Sequence, residues 1–228
     1  MGFDVSTFRI VPELVTLSVA QARADLAIFG FTPEGGRMVR GDQVIALVQA
    51  AVLPGHGAID HLALKAVDTD AAGWAVRARG ARVDPGVTPD GPLEIAEFWG
   101  SGVRYQFLQG PGGARVEICA RRGGQAEPVL EAALLGHDHI GLCCRDIAAS
   151  AGFYGDLGLG AVFQTVLQRA GGAIAVRFLR LGSQVLELYS PPGRGDLPGQ
   201  GLWRGLRFEG LGRQEMLAGP DGELITLV

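Results

Sequence analysis

Asp60-His61-Leu62-Ala63-Leu64 recurs as Asp138-His139-Ile140-Gly141-Leu142, and this self-match decides how the rest of the chain is read. The offset is 139 − 61 = 78 residues, and it carries on past the five: Asp68 aligns with Asp146 and Ala71 with Ala149. A segment that repeats at fixed spacing is a supersecondary unit used more than once. Each copy opens on a short apolar run with strand character. Each then turns helical, over 69–79 in the first copy and 147–157 in the second, with glycine stops at Gly80 and Gly158. Extended segments follow: 103–108 and 115–120 in the first copy, 160–168, 173–181 and 184–189 in the second. The closing strands match, Arg115-Val116-Glu117-Ile118 against Val185-Leu186-Glu187-Leu188. The order is strand, helix, then two or three antiparallel strands.

Weaker copies flank these two. Residues 8–50 hold an apolar stretch, a helix ending near Gly30 and a closing strand over 43–48. Residues 201–228 hold the strand-like Leu206-Arg207-Phe208 and a Gly219-Pro220-Asp221-Gly222 turn into a last strand, with no room for a helix. Stretches 121–136 and 191–200, rich in Gly, Pro and charge, read as linkers.

Two of the four histidines occupy equivalent places in the repeat, and each is followed by a glutamate on the closing strand. The spacings are 117 − 61 = 56 and 187 − 139 = 48. Side chains two apart share a strand face, so Leu62, Leu64, Ile140 and Leu142 face the helices and both histidines face away. Glu117 and Glu187 each interrupt an apolar strand, which places a carboxylate either in solvent or inside a cavity where it is paired. Matched His and Glu from two units favour the cavity. The set His61, Glu117, His139 and Glu187 is two nitrogens and two oxygens, suited to one divalent metal, Zn, Ni, Co, Mn or Fe, with room for water or substrate. Lys65, two alternations past His61, is placed to bind a substrate anion. Trp99, Tyr189 and Cys143 are candidates to line the pocket. His56 sits in a Gly-flanked turn, and His137 is read as an outer-shell group or alternative ligand. The extra length of the first copy falls in 84–102, read as a substrate-covering loop or a surface excursion.

Composition excludes several classes. The chain has 228 residues, 47% apolar and 19% charged, with net charge −4. It buries a sizeable core, and no basic stripe points to nucleic acid. No apolar run reaches the length of a membrane span. Gly2 with Ser6 fits the loose myristoylation pattern, but 1–10 reads better as an ordinary first strand. Cys119, Cys143 and Cys144 are odd in number and give no disulfide or metal-knuckle spacing, which points to a reducing, cytoplasmic setting. No P-loop or dinucleotide-binding glycine motif is present.

These residues resemble a known family. Units with His on the first strand and Glu on the last are similar to the βαβββ modules of the vicinal oxygen chelate superfamily, which includes glyoxalase I, bleomycin resistance proteins and extradiol dioxygenases. Asp138-His139-Ile140-Gly141-Leu142 with Ala151-Gly152-Phe153-Tyr154 looks like a family first module. Glu97-Phe98-Trp99 through Gly110-Pro111-Gly112-Gly113 into Val116-Glu117 looks like a second. The resemblance implies an α+β glyoxalase-like fold of four tandem modules, the first and last degenerate. Residues 1–124 would form one domain, with its ligand-bearing module at 57–120. Residues 133–228 would form the other, with modules at 137–190 and 200–228. Ala46 and Thr226 stand where the flanking units would carry Glu, so the middle two units are expected to share one site. The implied activity is that of a metal-dependent isomerase, lyase or epimerase. It acts on a small substrate with two adjacent oxygens through a metal-stabilised enediolate, with Glu117 or Glu187 as catalytic base. The alternatives are an Fe(II) extradiol-type dioxygenase and a non-catalytic drug- or metabolite-binding protein. The expected partner is a small-molecule substrate, and the chain is a monomer or homodimer.

Overall fold

The computed structural model describes residues 8–123, 134–193 and 195–228. The pattern Gly2/Ser6 and most of the linker 121–136 lie outside the described residues. Among the described residues, sixteen strands form two sheets, accompanied by three α-helices. The first five strands and first two helices run β1 (Arg9–Thr16), α1 (Val19–Ile28), β2 (Thr32–Glu34), β3 (Arg37–Arg40), β4 (Gln43–Gln49), β5 (Ile59–Ala66) and α2 (Thr69–Ala78). Next come β6 (Arg82–Val83), β7 (Leu93–Ile95), β8 (Val103–Gln109), β9 (Arg115–Arg121), β10 (Leu134–Cys143) and α3 (Ile147–Asp156). The chain ends with β11 (Gly160–Arg169), β12 (Gly172–Leu181), β13 (Gln184–Ser190), β14 (Trp203–Glu209), β15 (Glu215–Ala218) and β16 (Leu224–Leu227).

The nine-stranded sheet has the order β11-β12-β13-β10-β5-β9-β8-β6, with β7 on β8. Its centre is the antiparallel pair β5–β10, and each central strand has a parallel neighbour, β9 beside β5 and β13 beside β10. The seven-stranded sheet, β15-β16-β14-β1-β4-β3-β2, repeats that plan. There β1 and β14 are antiparallel, β4 lies parallel to β1, and β16 lies parallel to β14. The first and last segments of the chain thus share one sheet, and the two segments that carry the repeat share the other.

Each helix begins on a side-chain cap. Ser18 accepts from the Gln21 amide, Asp68 from Ala71, and Asp146 from both Ala148 and Ala149. The equivalence of Asp68 and Asp146 in the repeat is therefore the start signal of α2 and α3. Replacing Asp146 with alanine frees two amides at the start of α3, and urea unfolding is expected to show a loss of about 1 kcal/mol. The helix-facing residues Leu62, Leu64, Ile140 and Leu142 are buried in one continuous core that spans both sheets. Cross-links tie the sheets together. The Ile10 amide donates to Gln184 Oε1 at 3.2 Å, the Trp203 indole donates to the Arg115 carbonyl at 3.2 Å, and His137 Nδ1 lies 2.6 Å from Gln43 Oε1. Among the described residues, no helix is long and apolar enough to cross a membrane.

Candidate metal centre

The register of the central strands brings the repeated residues together. His61 on β5 stands opposite Gly141 on β10, and His139 stands opposite Ala63. Beside them, Glu117 pairs with Ala63 across β9, and Glu187 pairs with Gly141 across β13. All four polar side chains are buried, at 3–8% exposure. The two imidazoles meet with their Nε2 atoms 3.1 Å apart. Glu117 Oε2 lies 3.1 Å from His61 Nε2 and 3.6 Å from His139 Nε2. Glu187 Oε2 lies 3.5 and 3.3 Å from the same two atoms.

The outer nitrogens are committed elsewhere. His61 Nδ1 is 3.0 Å from Asp60 Oδ2, and His139 Nδ1 is 2.9 Å from Asp138 Oδ1. The aspartates that precede each histidine in the repeat therefore orient the rings and leave both Nε2 lone pairs aimed inward, an arrangement that raises ligand basicity. Burial lowers the pKa of each imidazole. The hydrogen bonds that His61 makes to Asp60 and then to Glu117 and Glu187, and that His139 makes to Asp138, then Cys119, then the glutamates, outweigh it and hold both well above the usual histidine range. Burial would raise Glu187, and the two histidines instead bring it down to about 2.

This cage fits a divalent cation. Two buried carboxylates beside imidazoles whose Nε2 atoms stand 3.1 Å apart call for positive charge, which protons on the rings supply without a metal and which a divalent cation would supply in their place. Ligand atoms around one ion with bonds of about 2.1 Å lie roughly 3.0–3.4 Å apart, and the separations above fall close to that range. His61, Glu117 and His139 have ligand atoms mutually within 4.8 Å, and Glu187 reaches both histidines.

Gly141 is part of the construction. A Cβ there would overlap the His61 imidazole. Gly141→Ala is expected to displace that ring and lower metal affinity within about the 10- to 100-fold range of a lost positioning partner, measured by competition with a chelator.

Of the remaining residues singled out from the sequence, Trp99 and Tyr189 line the cavity above the cage. Lys65 shares the strand face of His61, but about four residues at roughly 3.3 Å each carry it past the cavity. It is exposed and borders a neighbouring groove with Arg121, His137 and Asp138. Cys143 is buried beyond the cavity, paired across the sheet with Tyr189. Cys119 lines the cavity in its stead, two residues past Glu117 and on the same face. His137 is fully engaged, with Nδ1 at Gln43 and Nε2 accepting from the Val185 amide at 3.0 Å, and burial lowers its pKa to about 4.

Three features escaped the sequence reading. Asp60 and Asp138 were in the motif without a role. Arg115 holds Asp60 at 2.5 Å from the far side of His61. Phe107 stands across from Glu117 and Phe178 across from Glu187. Their rings meet His61 and His139 edge to face, at 5.0 and 5.4 Å. That matched aromatic was visible as a second element of the repeat.

The seven-stranded sheet lacks the cage at the corresponding register. Val11 faces Arg207 as His61 faces Gly141, and Glu13 faces Gly205 as Ala63 faces His139. Ala46 and Thr226 take the glutamate places. Glu13 there is buried and bound to Arg204 at 2.6 Å.

Residues 136–219 match the family model of the Glyoxalase/Bleomycin resistance protein/Dioxygenase superfamily. No curated protein matches the chain in sequence. Among solved structures, glyoxalase I from Zea mays is similar at TM-score 0.69, with 14% identity over 97% of this chain and 92% of that one. A variant of the same enzyme gives TM-score 0.70, 13% identity, and 98% and 94% coverage. A candidate dioxygenase from Bacillus subtilis gives TM-score 0.60, 14% identity, and 95% and 83% coverage. At these identities the likeness is one of fold.

Proposed function

We propose that this chain, whose residues 136–219 belong to the Glyoxalase/Bleomycin resistance protein/Dioxygenase superfamily, is a divalent-metal isomerase, lyase or epimerase of the glyoxalase type. It moves a carbon-bound proton of a small hydroxy-carbonyl substrate. The observation that carries this reading is the convergence of His61, His139, Glu117 and Glu187 within 3.1–3.6 Å at the floor of a cavity of about 290 Å³.

These four side chains would hold the metal. When bound, the metal supplies Lewis-acid polarisation of two adjacent substrate oxygens, which acidifies the neighbouring C–H bond. Asp60 and Asp138 keep the imidazoles in the tautomer that presents Nε2. A carboxylate of the Glu117/Glu187 pair receives the carbon-bound proton as general base. Both sit deep enough to be shielded from bulk water. Phe107 and Phe178, packed on the histidines, keep water out and hold the rings in place. The four protein ligands favour this chemistry over dioxygenation, which needs open positions for both oxygen and substrate.

The test starts from purified chain. Elemental analysis is expected to find about one divalent metal per chain. NMR in deuterated water is expected to show metal-dependent loss of the C–H signal of an α-hydroxyketone, with Glu117→Gln and Glu187→Gln identifying the base. A metal-free protein of full stability, or iron accompanied by substrate-dependent oxygen uptake, would overturn the proposal.

A further inference from the structure

The cavity above the cage is chemically divided. Its floor carries the acids and imidazoles. Its walls are apolar and aromatic, and they form a hydrophobic cluster separate from the main core: Phe98, Val103, Leu167, Val176 and Phe178, with Trp99 and Phe163 packed against it. Two ends of the nine-stranded sheet build this box. Phe163 and Phe178 come from β11 and β12, and Phe98 and Trp99 from the turn between β7 and β8. Trp99 lies 4.6 Å from Phe163 and 4.9 Å from Phe178, and Phe98 meets Phe178 edge to face at 5.4 Å. The Glu97–Arg169 ion pair, at 2.8 Å, closes the same seam from outside.

Trp99 adopts φ 56, which among the described residues no other non-glycine residue approaches. Such a conformation is strained and persists where the surroundings impose it, often at ligand clamps. Here Gly100 and Gly102, on either side of Ser101, also take positive φ, and Arg121 stacks on the indole at 4.1 Å. The turn is bent to place an aromatic face over the cavity.

Charge selects as well. Arg115 is the single Lys or Arg among the lining residues, and it is bound to Asp60 at 2.5 Å with Asp84 at 3.7 Å. Asp60, Glu117, Asp138 and Glu187 supply negative charge around the floor. With Arg115 so engaged, the lining offers no unpaired cation to a carboxylate or phosphate tail. The volume, about 290 Å³, sits just below the ~300–1,000 Å³ usual for small-molecule pockets.

We propose that the substrate carries its two adjacent oxygens on a compact, uncharged arm ending in a single aromatic ring, which Trp99, Phe98 and Phe178 receive. This rests on the metal-centred reading above and narrows it, excluding substrates borne on anionic peptide or nucleotide carriers.

Hydroxamates test it, because they present one constant pair of adjacent oxygens on a variable arm. Titration calorimetry on the metal-loaded protein would compare acetohydroxamate, benzohydroxamate and 4-carboxybenzohydroxamate. Benzohydroxamate is expected to bind about 10- to 100-fold more tightly than acetohydroxamate, from ring burial and aromatic contact. The para carboxylate is expected to cancel that gain. Trp99→Gly, which the left-handed backbone accepts, is expected to bring the benzohydroxamate-to-acetohydroxamate ratio down toward one. Equal affinity for the first two ligands, or tightest binding of the carboxylated one, overturns the aromatic-arm assignment and leaves the enzyme reading standing. Binding of no hydroxamate to the metal-loaded protein overturns both.

Discussion

Replacing His139 with alanine is expected to leave a folded chain that no longer retains divalent metal. His139 Nε2 is within 3.1–3.6 Å of the three other candidate ligand atoms, and its removal leaves one imidazole and two carboxylates to share the ion. The loss of affinity should exceed the roughly 10- to 100-fold typical of an outer-shell partner. Asp138→Asn provides the internal scale. It keeps the ring and weakens only the 2.9 Å contact that aims it, so its loss should fall within that range. Glu187→Ala should resemble His139→Ala. His137→Ala is the control from the same strand: it breaks the contacts with Gln43 and Val185, which costs about 1–3 kcal/mol of stability, and leaves the metal in place. Elemental analysis and chelator competition read all four variants. Wild-type metal content in His139→Ala, or a folded His137→Ala that has lost its metal, would remove the basis of the site.

The contrast between His137 and His139 also shows what the sequence carried. Strand parity puts both on one face, yet only the copy at 60–64 shows that the second is the repeated one. The helices at 69–78 and 147–156 fall within a residue of the reading, because an Asp cap starts each and a glycine stops it. Lys65 lies outside the cavity for a reason of scale. Parity names a face but does not say how far along the strand a cavity extends. Cys119 and Cys143 are a similar case: both look like small apolar packing, and the cavity walls include one of them. The aromatic box was the least legible part. Phe98, Trp99, Phe163 and Phe178 come from strands and turns more than sixty residues apart, brought together by the curl of one sheet. No local pattern encodes a seam closed by tertiary packing. The pairing of the flanking segments into a second sheet was suggested by residues missing from the ligand positions, Ala46 and Thr226, more than by any positive signal.

That second sheet, which lacks the cage, is expected to matter most through Trp203. Trp203→Ala should destabilise the chain by about 3–5 kcal/mol, the usual cost of emptying a buried aromatic site. The side chain is 1% exposed and opens β14, on the sheet without the cage. Its indole N–H donates across to the Arg115 carbonyl. Arg115 lies on β9 of the other sheet, and its guanidinium grips Asp60, which backs His61. One contact thus joins the supporting sheet to the orientation of a metal ligand. The loss would be a large part of the roughly 5–15 kcal/mol that holds a typical domain together. Trp203→Phe separates the two contributions: it keeps most of the buried ring and gives up the hydrogen bond, at about 1 kcal/mol. Urea unfolding with and without metal measures both. Added metal raises the stability of any variant that still binds it by RT ln(1 + [L]/Kd). A Trp203→Ala chain that folds but binds metal weakly should therefore gain less from saturating metal than Trp203→Phe does. An alanine variant within about 1 kcal/mol of wild type, with an undiminished response to metal, would show that the cage-bearing sheet orients its ligands without support from the other, and the path from Trp203 through Arg115 to His61 would then carry no energy.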